Sequence, residues 1–578
     1  MNDQMNDQMN DQMDETGDKP QTPTQAVLDY HQATKHSYQR YAAGPGYLDW
    51  ESQPNPFRRY EGARLISLEK TPPTDEPLYD KSFVENQLTP APLNLPSISQ
   101  LFYDSLAISA WKGIENTSWA LRVNPSSGNL HPTEGYLICG PIEGLTATPM
   151  VCHYAPKEHG LEVRAEFELE LWQQLVGSLP PATFFVALTS IHWREAWKYG
   201  QRAYRYCQHD AGHAIGAISI AAAGLGWQAR VLDDLGTDEL ALLTGTSGGH
   251  ELEQGGGEPE KRAEAEEPDV LIAVGPSGQE MEETGLPGEF IQTFASLDWR
   301  GTPNQLSDSH VDWGIKEIAA AARKPPTSRS CEPTADPTGS WPLDTRPLSL
   351  RKMIRQRRSA VAMDGETSIS RDAFYHILQK TLAVRGSVPF STLPWRAHIH
   401  LAIFVHRVDD LPSGLYFLVR DGSQKTALET AFPRTDWRRP PGCPERLELY
   451  CLAEADLRGA AQQISCTQEI ASAGCFSLGM IAEYQEPLQR HGPWLYPRLF
   501  WEAGVIGQVL YLEAEAAGLS ATGIGCYFDD AMHELLGLED RSYQDLYHFT
   551  IGGPIEDNRL TTLPAYAQEC ARTGTEGT

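Results

Sequence analysis

The chain has 578 residues, of which 40% are hydrophobic and 21% charged, a composition typical of folded globular proteins rather than disordered ones. A chain of this length exceeds what one hydrophobic core usually serves, so we expect two domains. The net charge of -30 argues against DNA and RNA as main ligands, because nucleic-acid affinity depends on clustered Lys and Arg. The longest apolar helical stretch, 214–227, is shorter than the roughly 20 residues that cross a bilayer, so no membrane association is expected.

The amino-terminal segment repeats an acidic Met-Asn-Asp-Gln unit and lacks the apolar core of a signal peptide, so residues 1–24 are predicted to be a disordered tail. The 10 cysteines include no Cys-x-x-Cys pair, which is typical of reduced thiols in the cytoplasm. We therefore predict a cytoplasmic protein in which Cys207, Cys466 and Cys475 are buried apolar residues.

Apolar spacing predicts an alternation of helices and strands along the first part of the chain. The predicted elements are helices over residues 97–111 and 169–179, strands over 136–138, 184–188 and 270–275, and a long helical region over 192–226. Small residues are dense in the last part of that helical region, which favours close packing against a sheet or another helix. Residues 244–269 are acidic and rich in Gly, which predicts a surface insertion.

Residues 321–347 contain too many Pro and Ser for regular structure, so we predict a linker there. The linker separates half one, residues 25–320, from half two, residues 348–566. Residues 567–578 are predicted to form a second disordered tail.

Half two repeats half one weakly but in order, which predicts an internal duplication. The aligned pairs are Gly200 with Gly492, Tyr204 with Tyr496, Asp210 with Glu502, Gly212 with Gly504, and Gly226 with Gly518. Both halves then end in a predicted strand, VLIAVG in half one and FTIGGP in half two. Two unrelated α/β domains would not be expected to share so many glycines in register.

A polar loop in half one is the strongest functional signal. Pro125 and Gly128 fix a turn, while Ser126, Ser127 and Asn129 supply short hydrogen-bond donors and acceptors. A strand follows, so the loop is expected to hold a flat polar ligand. The surrounding PSSGNLHPTE sequence resembles the flavin loop of the nitroreductase superfamily, in the form used by SagB-type dehydrogenases, which oxidise azolines in peptide natural products.

A second motif supports this resemblance. The sequence KYGQRAYRY, which begins at Lys198, is similar to the Lys-Tyr motif of the same subfamily. The resemblance implies an α+β, nitroreductase-like, FMN-dependent fold. Members of the superfamily usually act as intertwined homodimers with FMN across the subunit interface, so two tandem copies would form a pseudo-dimer within one chain, and the protein could act as a monomer.

Half two carries elements that the resemblance assigns to the phosphate side of FMN. The segment from Arg355 through Arg357 and Arg358 to Ser359 resembles the Arg-Arg-Ser element of the family. A guanidinium meets a phosphate with two parallel hydrogen bonds, although an Arg cluster alone is more often a solvated face. The resemblance further implies that Gly523, Ile524 and Gly525 pass along the flavin ring, and that Arg559 is a second phosphate ligand.

The two halves lack complementary parts of this site. Half one has no Arg-Arg-Ser element, and half two has neither the 125–129 loop nor the Lys-Tyr motif. In the family dimer, one subunit supplies the phosphate side and the other supplies the loop and the helix covering the flavin. We therefore predict a single composite FMN site between the halves.

The SagB-like oxidation removes a hydride and a proton from a thiazoline or oxazoline, so a base must lie beside the flavin. Tyr199 is one predicted base. Lys198 is the other, because nearby Arg202 and Arg205 would favour its neutral form.

Several histidines are predicted not to take part in the chemistry. His131 is predicted to be structural, since nothing near it in sequence requires a proton relay. His209 and His213 stand four residues apart beside Asp210 and imitate a metal pair. No third ligand has a suitable spacing, so no metal site is predicted.

Three functions stay open. The first is dehydrogenation of an azoline-like small molecule or modified peptide. The second is a general NAD(P)H-dependent nitro or quinone reductase. The third is a non-catalytic scaffold that binds flavin or a peptide.

Overall fold

The computed structural model describes residues 21–115, 117–177, 179–246, 264–279, 281, 286–326, 347–384, 386–433 and 435–566. Residues 1–20 and 567–578 of the predicted tails, and most of the acidic insertion and the linker, lie outside these residues and remain predictions. The predicted first tail is too long by two residues, because the helix Pro23–Ala33 begins inside it, and the predicted insertion is too long by three, because a strand begins at Glu267. The helices are Pro23–Ala33, Leu95–Tyr103, Leu169–Val176, His192–Tyr199, Ala203–Ala223, Thr237–Thr244, Gly288–Ile291, Ile315–Ala321, Leu350–Gln356, Arg371–Lys380, Lys425–Ala431, Arg458–Ile464, Ile470–Ala473, Gln485–His491, Leu495–Ala516 and Asp529–Leu536.

Each half contains one large antiparallel sheet, and the two large sheets share the same order over six strands. The half-one sheet runs Arg64–Ser67, Gly160–Glu166, Met150–Ala155, Thr133–Cys139, Phe184–Ser190, Glu267–Pro276 and Trp227–Val231. The half-two sheet runs Leu449–Glu454, Gly414–Leu418, Ile399–Val405, Phe476–Glu483, Tyr543–Gly552 and Ser520–Ile524. The half-one sheet has one additional strand, Arg64–Ser67, at its outer edge. The common topology supports the predicted duplication.

Central strands are apolar on both faces because each face of the sheet meets its own core. In Thr133–Cys139, Leu137 and Cys139 join the core that contains the helix Ala203–Ala223. Tyr136 and Ile138 join a second core on the other face, as expected when successive side chains of a strand alternate. The predicted strands at 136–138, 184–188 and 270–275 are therefore confirmed within longer ones.

The two long helices, Ala203–Ala223 and Leu495–Ala516, cross at the centre of the molecule, and we call them the central helices. Gly212 and Gly504 face each other at the crossing. A Cβ on Gly212 would lie 2.9 Å from the Cα of Gly504, and the reverse distance is 2.8 Å. The small residues of the repeat therefore allow close helix packing, as the sequence predicted.

The ends of the chain interlock the halves. The helix Pro23–Ala33 places His31 Nδ1 3.1 Å from the Tyr496 hydroxyl of half two. In return, the strand Thr561–Pro564 pairs with Ile108–Ile114, which forms a hairpin with Thr117–Arg122 in half one. A short pairing of Tyr60–Glu61 with Thr302–Pro303 completes the strands. The two halves are therefore not separate in space.

Three predicted helices differ from those observed. The helix predicted over 169–179 ends at Val176, where Gly177 has a left-handed φ of 50°. The helix predicted over 97–111 ends at Tyr103, because the following residues pair in the hairpin instead. The region 192–226 breaks at Gly200, which has a left-handed φ of 55° and lies so close to Ala43 and Gly44 that a Cβ would not fit. In the part of the chain described above, no helix is both long and apolar enough to span a membrane.

Candidate functional site

The loop 125–129 lies against the last turn of the helix His192–Tyr199. Gly128 has a left-handed φ of 59°, which favours glycine. A Cβ at Gly128 would lie 2.6 Å from the Tyr199 hydroxyl and 3.0 Å from Lys198 Nζ. The two half-one motifs singled out in the sequence therefore meet, and Gly128 itself is exposed.

The polar side chains of the loop hold the loop itself. Ser127 donates from its backbone N to Asp210 Oδ1 at 3.1 Å and from its hydroxyl at 3.2 Å. Asn129 donates its amide to the Ala120 carbonyl at 2.8 Å. The Ser126 hydroxyl accepts the backbone N–H of His131 at 2.7 Å, which agrees with a structural role for His131. The main chain of the loop, rather than these side chains, is therefore its available face.

Two buried carboxyl groups lie behind the loop. Burial raises the pKa of Asp210 to about 7 despite its hydrogen bonds from the two serines. Burial, followed by repulsion from Asp210, raises the pKa of Glu195 well above its usual value. The pair therefore retains protons to higher pH than isolated carboxyl groups do. Sequence reasoning missed Glu195, because a single Glu in a helix carries no pattern.

Tyr199 is placed as a proton donor. Its ring stacks on Tyr206 with 4.3 Å between centroids, and burial followed by the charge of Glu195 raises the pKa of its hydroxyl. A tyrosine with a raised pKa keeps its proton to higher pH, which disfavours the predicted role of Tyr199 as a base.

The cations expected to act on Lys198 are engaged elsewhere. Arg202 and Arg205 both pair with buried Asp529 of half two, at 3.0 and 2.7 Å. Both guanidinium groups are therefore directed at Asp529 rather than at Lys198, so the predicted effect of these arginines on Lys198 does not follow from the structure.

The segment Gly523–Gly525 of half two, which we call the Gly523–Gly525 edge, lies close to the half-one loop and Tyr199. Gly525 packs on the Tyr206 ring, and Gly523 packs on Tyr547, both too closely for a Cβ. The two glycines are partly exposed, whereas Ile524 between them points into the core. Through Tyr206, the Gly523–Gly525 edge is therefore continuous with Tyr199 and the half-one loop. Tyr547 comes from a distant strand, so no local sequence pattern could have identified it.

The segment Arg355–Ser359 contacts half one at residues 122–123, which come just before the loop 125–129. Arg357 Nη2 donates to the Arg122 and Val123 carbonyls at 3.3 and 3.2 Å. Arg355 donates to the Tyr103 and Ile108 carbonyls at 3.0 and 2.7 Å. The predicted cluster is thus beside the loop, and Arg355 serves mainly to tie the halves together.

The three arginines of this segment lie outside ion-pairing distance of any carboxylate in the described structure, although Glu515 is close enough to act on Arg357 and Arg358. Among the described residues, no carboxylate forms an ion pair with Arg355, Arg357 or Arg358, and the buried Nε of Arg357 has no hydrogen-bond partner. Burial and the neighbouring Arg357 and Arg355 lower the pKa of Arg358 to about 10. A phosphate would supply the missing negative charge and acceptor oxygens.

Two further predicted positions have different environments. Ser359 is exposed, and its hydroxyl lies 2.9 Å from the Tyr511 hydroxyl, which accepts the Gly523 N–H at 3.0 Å. Arg559 is not brought to the cluster. It pairs with Asp557 at 2.7 Å and its side chain is 78% exposed, so the predicted second phosphate contact is not observed.

His209 and His213 lie beneath the Gly523–Gly525 edge. His209 stacks on Tyr547 with 4.1 Å between centroids, and His213 Nε2 lies 3.2 Å from the Tyr547 hydroxyl. Burial lowers the pKa of both imidazoles. They are neutral rings that support the aromatic floor, and the described residues contain no group of three potential metal ligands.

The position related to this site by the repeat is filled by side chains. In the register of Gly212 and Gly504, Tyr206 matches Arg498 and Gly525 matches Asp233. Arg498 Nη2 pairs with Asp233 at 2.7 Å, and its guanidinium lies against Trp395, Trp494 and Trp501. A cavity of about 40 Å³ lies beside Arg498, enough for a few waters.

Comparisons with known proteins identify the fold. No protein-family model matches the sequence. A Methanocaldococcus jannaschii protein provisionally named a nitroreductase is 24% identical over 142 residues, which span 24% of this chain and 66% of that protein. A crystal structure from Anabaena variabilis, also provisionally named a nitroreductase, matches with 21% identity and a TM-score of 0.61, covering 92% of this chain and 99% of its own. A chain of the Escherichia coli microcin synthetase complex matches at a TM-score of only 0.25.

Proposed function

From a nitroreductase-like fold that extends over 92% of the chain, we propose that the protein is an FMN-dependent oxidoreductase of the SagB type with one composite flavin site. The observation that carries this proposal is the continuity of the site. Gly128 touches Lys198 and Tyr199 in half one, and Tyr199 stacks on Tyr206, which packs against Gly525 of half two.

The residues present fit FMN by their chemistry. The main chain around exposed Gly128 and the Gly523–Gly525 edge would lie along the isoalloxazine ring. Arg357 and Arg358 would hold the phosphate, because both carry charge, neither forms a direct ion pair in the described structure, and the buried Arg357 Nε has no hydrogen-bond partner. Bound FMN supplies the hydride chemistry.

Lys198 and Tyr199 would have different roles in the reaction. Lys198 reaches the exposed Gly128 surface, and its neutral form is the proposed proton acceptor. Tyr199 keeps its proton and would orient the substrate through its hydroxyl. The proposed substrate is an azoline-like small molecule or modified peptide, whose oxidation releases one hydride and one proton.

An NAD(P)H-dependent nitro or quinone reductase is the alternative. The provisional names of the Methanocaldococcus protein and the Anabaena structure favour it. Rapid NADPH oxidation with a nitroaromatic, and no turnover of an azoline peptide, would select this function. A colourless protein that takes up no FMN would instead select the peptide-binding scaffold.

The test of the flavin site compares two arginines. Arg358→Ala should raise the dissociation constant for FMN about 10- to 100-fold, since hydrogen bonds to charged groups contribute about 1.5–3 kcal/mol. Arg64→Ala is the matched control, because Arg64 lies on the outer half-one strand and pairs with Glu166. Flavin absorbance of the purified proteins and FMN titration of the stripped proteins provide the measurement. Equal losses in both variants would contradict the single-site proposal.

A further inference from the structure

Two cysteines of half two lie beside the candidate site and have no part in the proposed flavin chemistry. The Sγ atoms of Cys466 and Cys526 are 2.8 Å apart. Cys526 directly follows Gly525 and is partly exposed, whereas Cys466 is buried. The prediction that Cys466 is an ordinary buried apolar residue therefore misses its partner, which stands 60 residues away.

The segments that carry the two cysteines are fixed together. The Gln468 side chain donates to the Ser465 carbonyl at 2.9 Å and to the Cys526 carbonyl at 3.0 Å. Phe528 donates its backbone N–H to the Ile464 carbonyl at 2.7 Å. Cys466 itself has a left-handed φ of 53°, which is uncommon for a residue other than glycine. The sulfurs are thus held close to the roughly 2.05 Å of a disulfide bond.

The surroundings distinguish the two thiols. His36 Nδ1 accepts the Ala42 N–H at 2.9 Å, so the neutral ring carries its proton on Nε2 and has that proton available for Cys526. Arg202, which donates to the Gly525 carbonyl at 3.3 Å, adds positive charge nearby. The Cys466 contact, followed by His36, lowers the pKa of Cys526, and the same contact raises the pKa of Cys466. Cys526 is the accessible nucleophile and Cys466 the buried second thiol.

We propose that Cys526 and Cys466 form a thiol–disulfide exchange site whose substrate is a low-molecular-weight disulfide. Cys526 loses its proton to solvent, and its thiolate attacks one sulfur of the substrate, forms a mixed disulfide and releases one thiolate. Cys466 passes its proton to that thiolate and attacks Cys526 Sγ, which breaks the mixed bond and releases the second thiolate. The second thiolate takes a proton back from solvent. The protein dithiol loses two electrons and becomes a disulfide, while the substrate is reduced to two thiols.

This chemistry requires no flavin, so its test is independent of the proposed oxidoreductase activity. Full-length reduced protein is incubated with oxidised glutathione, quenched by alkylation, and digested for mass spectrometry. Wild-type protein should yield a peptide pair linked through Cys466 and Cys526. Cys466→Ser should accumulate glutathione on Cys526, because no second thiol can displace it. Cys526→Ser should leave Cys466 reduced over the same time.

Cys443 supplies the internal control. It is also partly exposed, but no other cysteine in the described chain contacts it, and burial raises its pKa. In wild-type protein, Cys526 should react with glutathione disulfide at least about ten times faster than Cys443, and Cys443→Ser should not change the exchange. Equal rates at Cys526 and Cys443, or a lasting glutathione adduct on wild-type Cys526, would overturn the proposal. The rate comparison uses wild-type protein, so its outcome does not depend on whether the variants fold.

Discussion

Lys198 and Tyr199 are neighbours in sequence but have different surroundings. Tyr199 is packed on Tyr206 with its proton retained, whereas Lys198 reaches the exposed loop. Lys198→Ala should lower kcat for azoline dehydrogenation about 10²- to 10⁴-fold, as expected for loss of a general base. Tyr199→Phe should lower kcat less, by about tenfold. Steady-state oxidation of an azoline model compound measures both, and both variants should keep the yellow flavin band. Unchanged turnover in Lys198→Ala would remove this lysine from the mechanism.

Asp210 gives the stability a pH dependence. Its folded-state pKa of about 7 lies above the ordinary 3.8, so its contribution to stability is fully present below about pH 3.8 and is lost as pH rises through about 7. In the wild-type protein, titration of Asp210 should lower the free energy of unfolding by at most 1.36 kcal/mol per pH unit between pH 5 and 8. Asp210→Asn should remove this contribution, so the free energy of unfolding of the variant should fall less over that range. Urea unfolding across that range measures the effect, with exposed Asp298→Asn as the control. Parallel pH profiles for wild type and Asp210→Asn would contradict the prediction.

The crossing of the central helices depends on its glycines. Gly504→Ala should lower the free energy of unfolding by about 1–3 kcal/mol, because the added methyl would overlap the backbone of the other central helix. Gly459→Ala is the matched control in the helix Arg458–Ile464, where a Cβ meets nothing within 4 Å. That substitution should be neutral or stabilise by up to about 1 kcal/mol. Urea denaturation compares the two, and similar effects would show that the crossing tolerates a methyl group.

Elements with strong periodic signals were predictable, and elements shaped by distant contacts were not. The buried strand at 270–275 and the small-residue helix were found because burial on both sides leaves an apolar run. The helix break at Gly200 was missed because its cause, the chain at Ala43, lies far away in sequence. The same reason hid Tyr547 and the Cys466–Cys526 contact. Within the site, the meeting of the loop with the Lys-Tyr motif followed from the resemblance alone.

At the scale of the whole molecule, the carboxy-terminal strand joins half two to half one. Ending the chain after residue 560 removes the pairing with Ile108–Ile114, the bond from Trp111 Nε1 to the Ala565 carbonyl at 2.8 Å, and the bond from the Tyr566 hydroxyl to Pro156. At about 1 kcal/mol per net hydrogen bond, the unfolding free energy should fall by a few kcal/mol. A chain ending after residue 566 is the control. Equal denaturation midpoints for the two truncated chains would show that this strand contributes little.

The Arg498–Asp233 pair occupies the position that the repeat relates to Tyr206 and Gly525, and this difference bears on how the sequence of such a protein can evolve. In an assembly of identical subunits, every substitution enters both clefts, so neither can be altered alone. Here Tyr206 faces Gly525 on one side, while Arg498 faces Asp233 on the other. A single polypeptide can therefore keep different side chains at its two related positions, with the fixed stoichiometry of a heterodimer encoded by one gene.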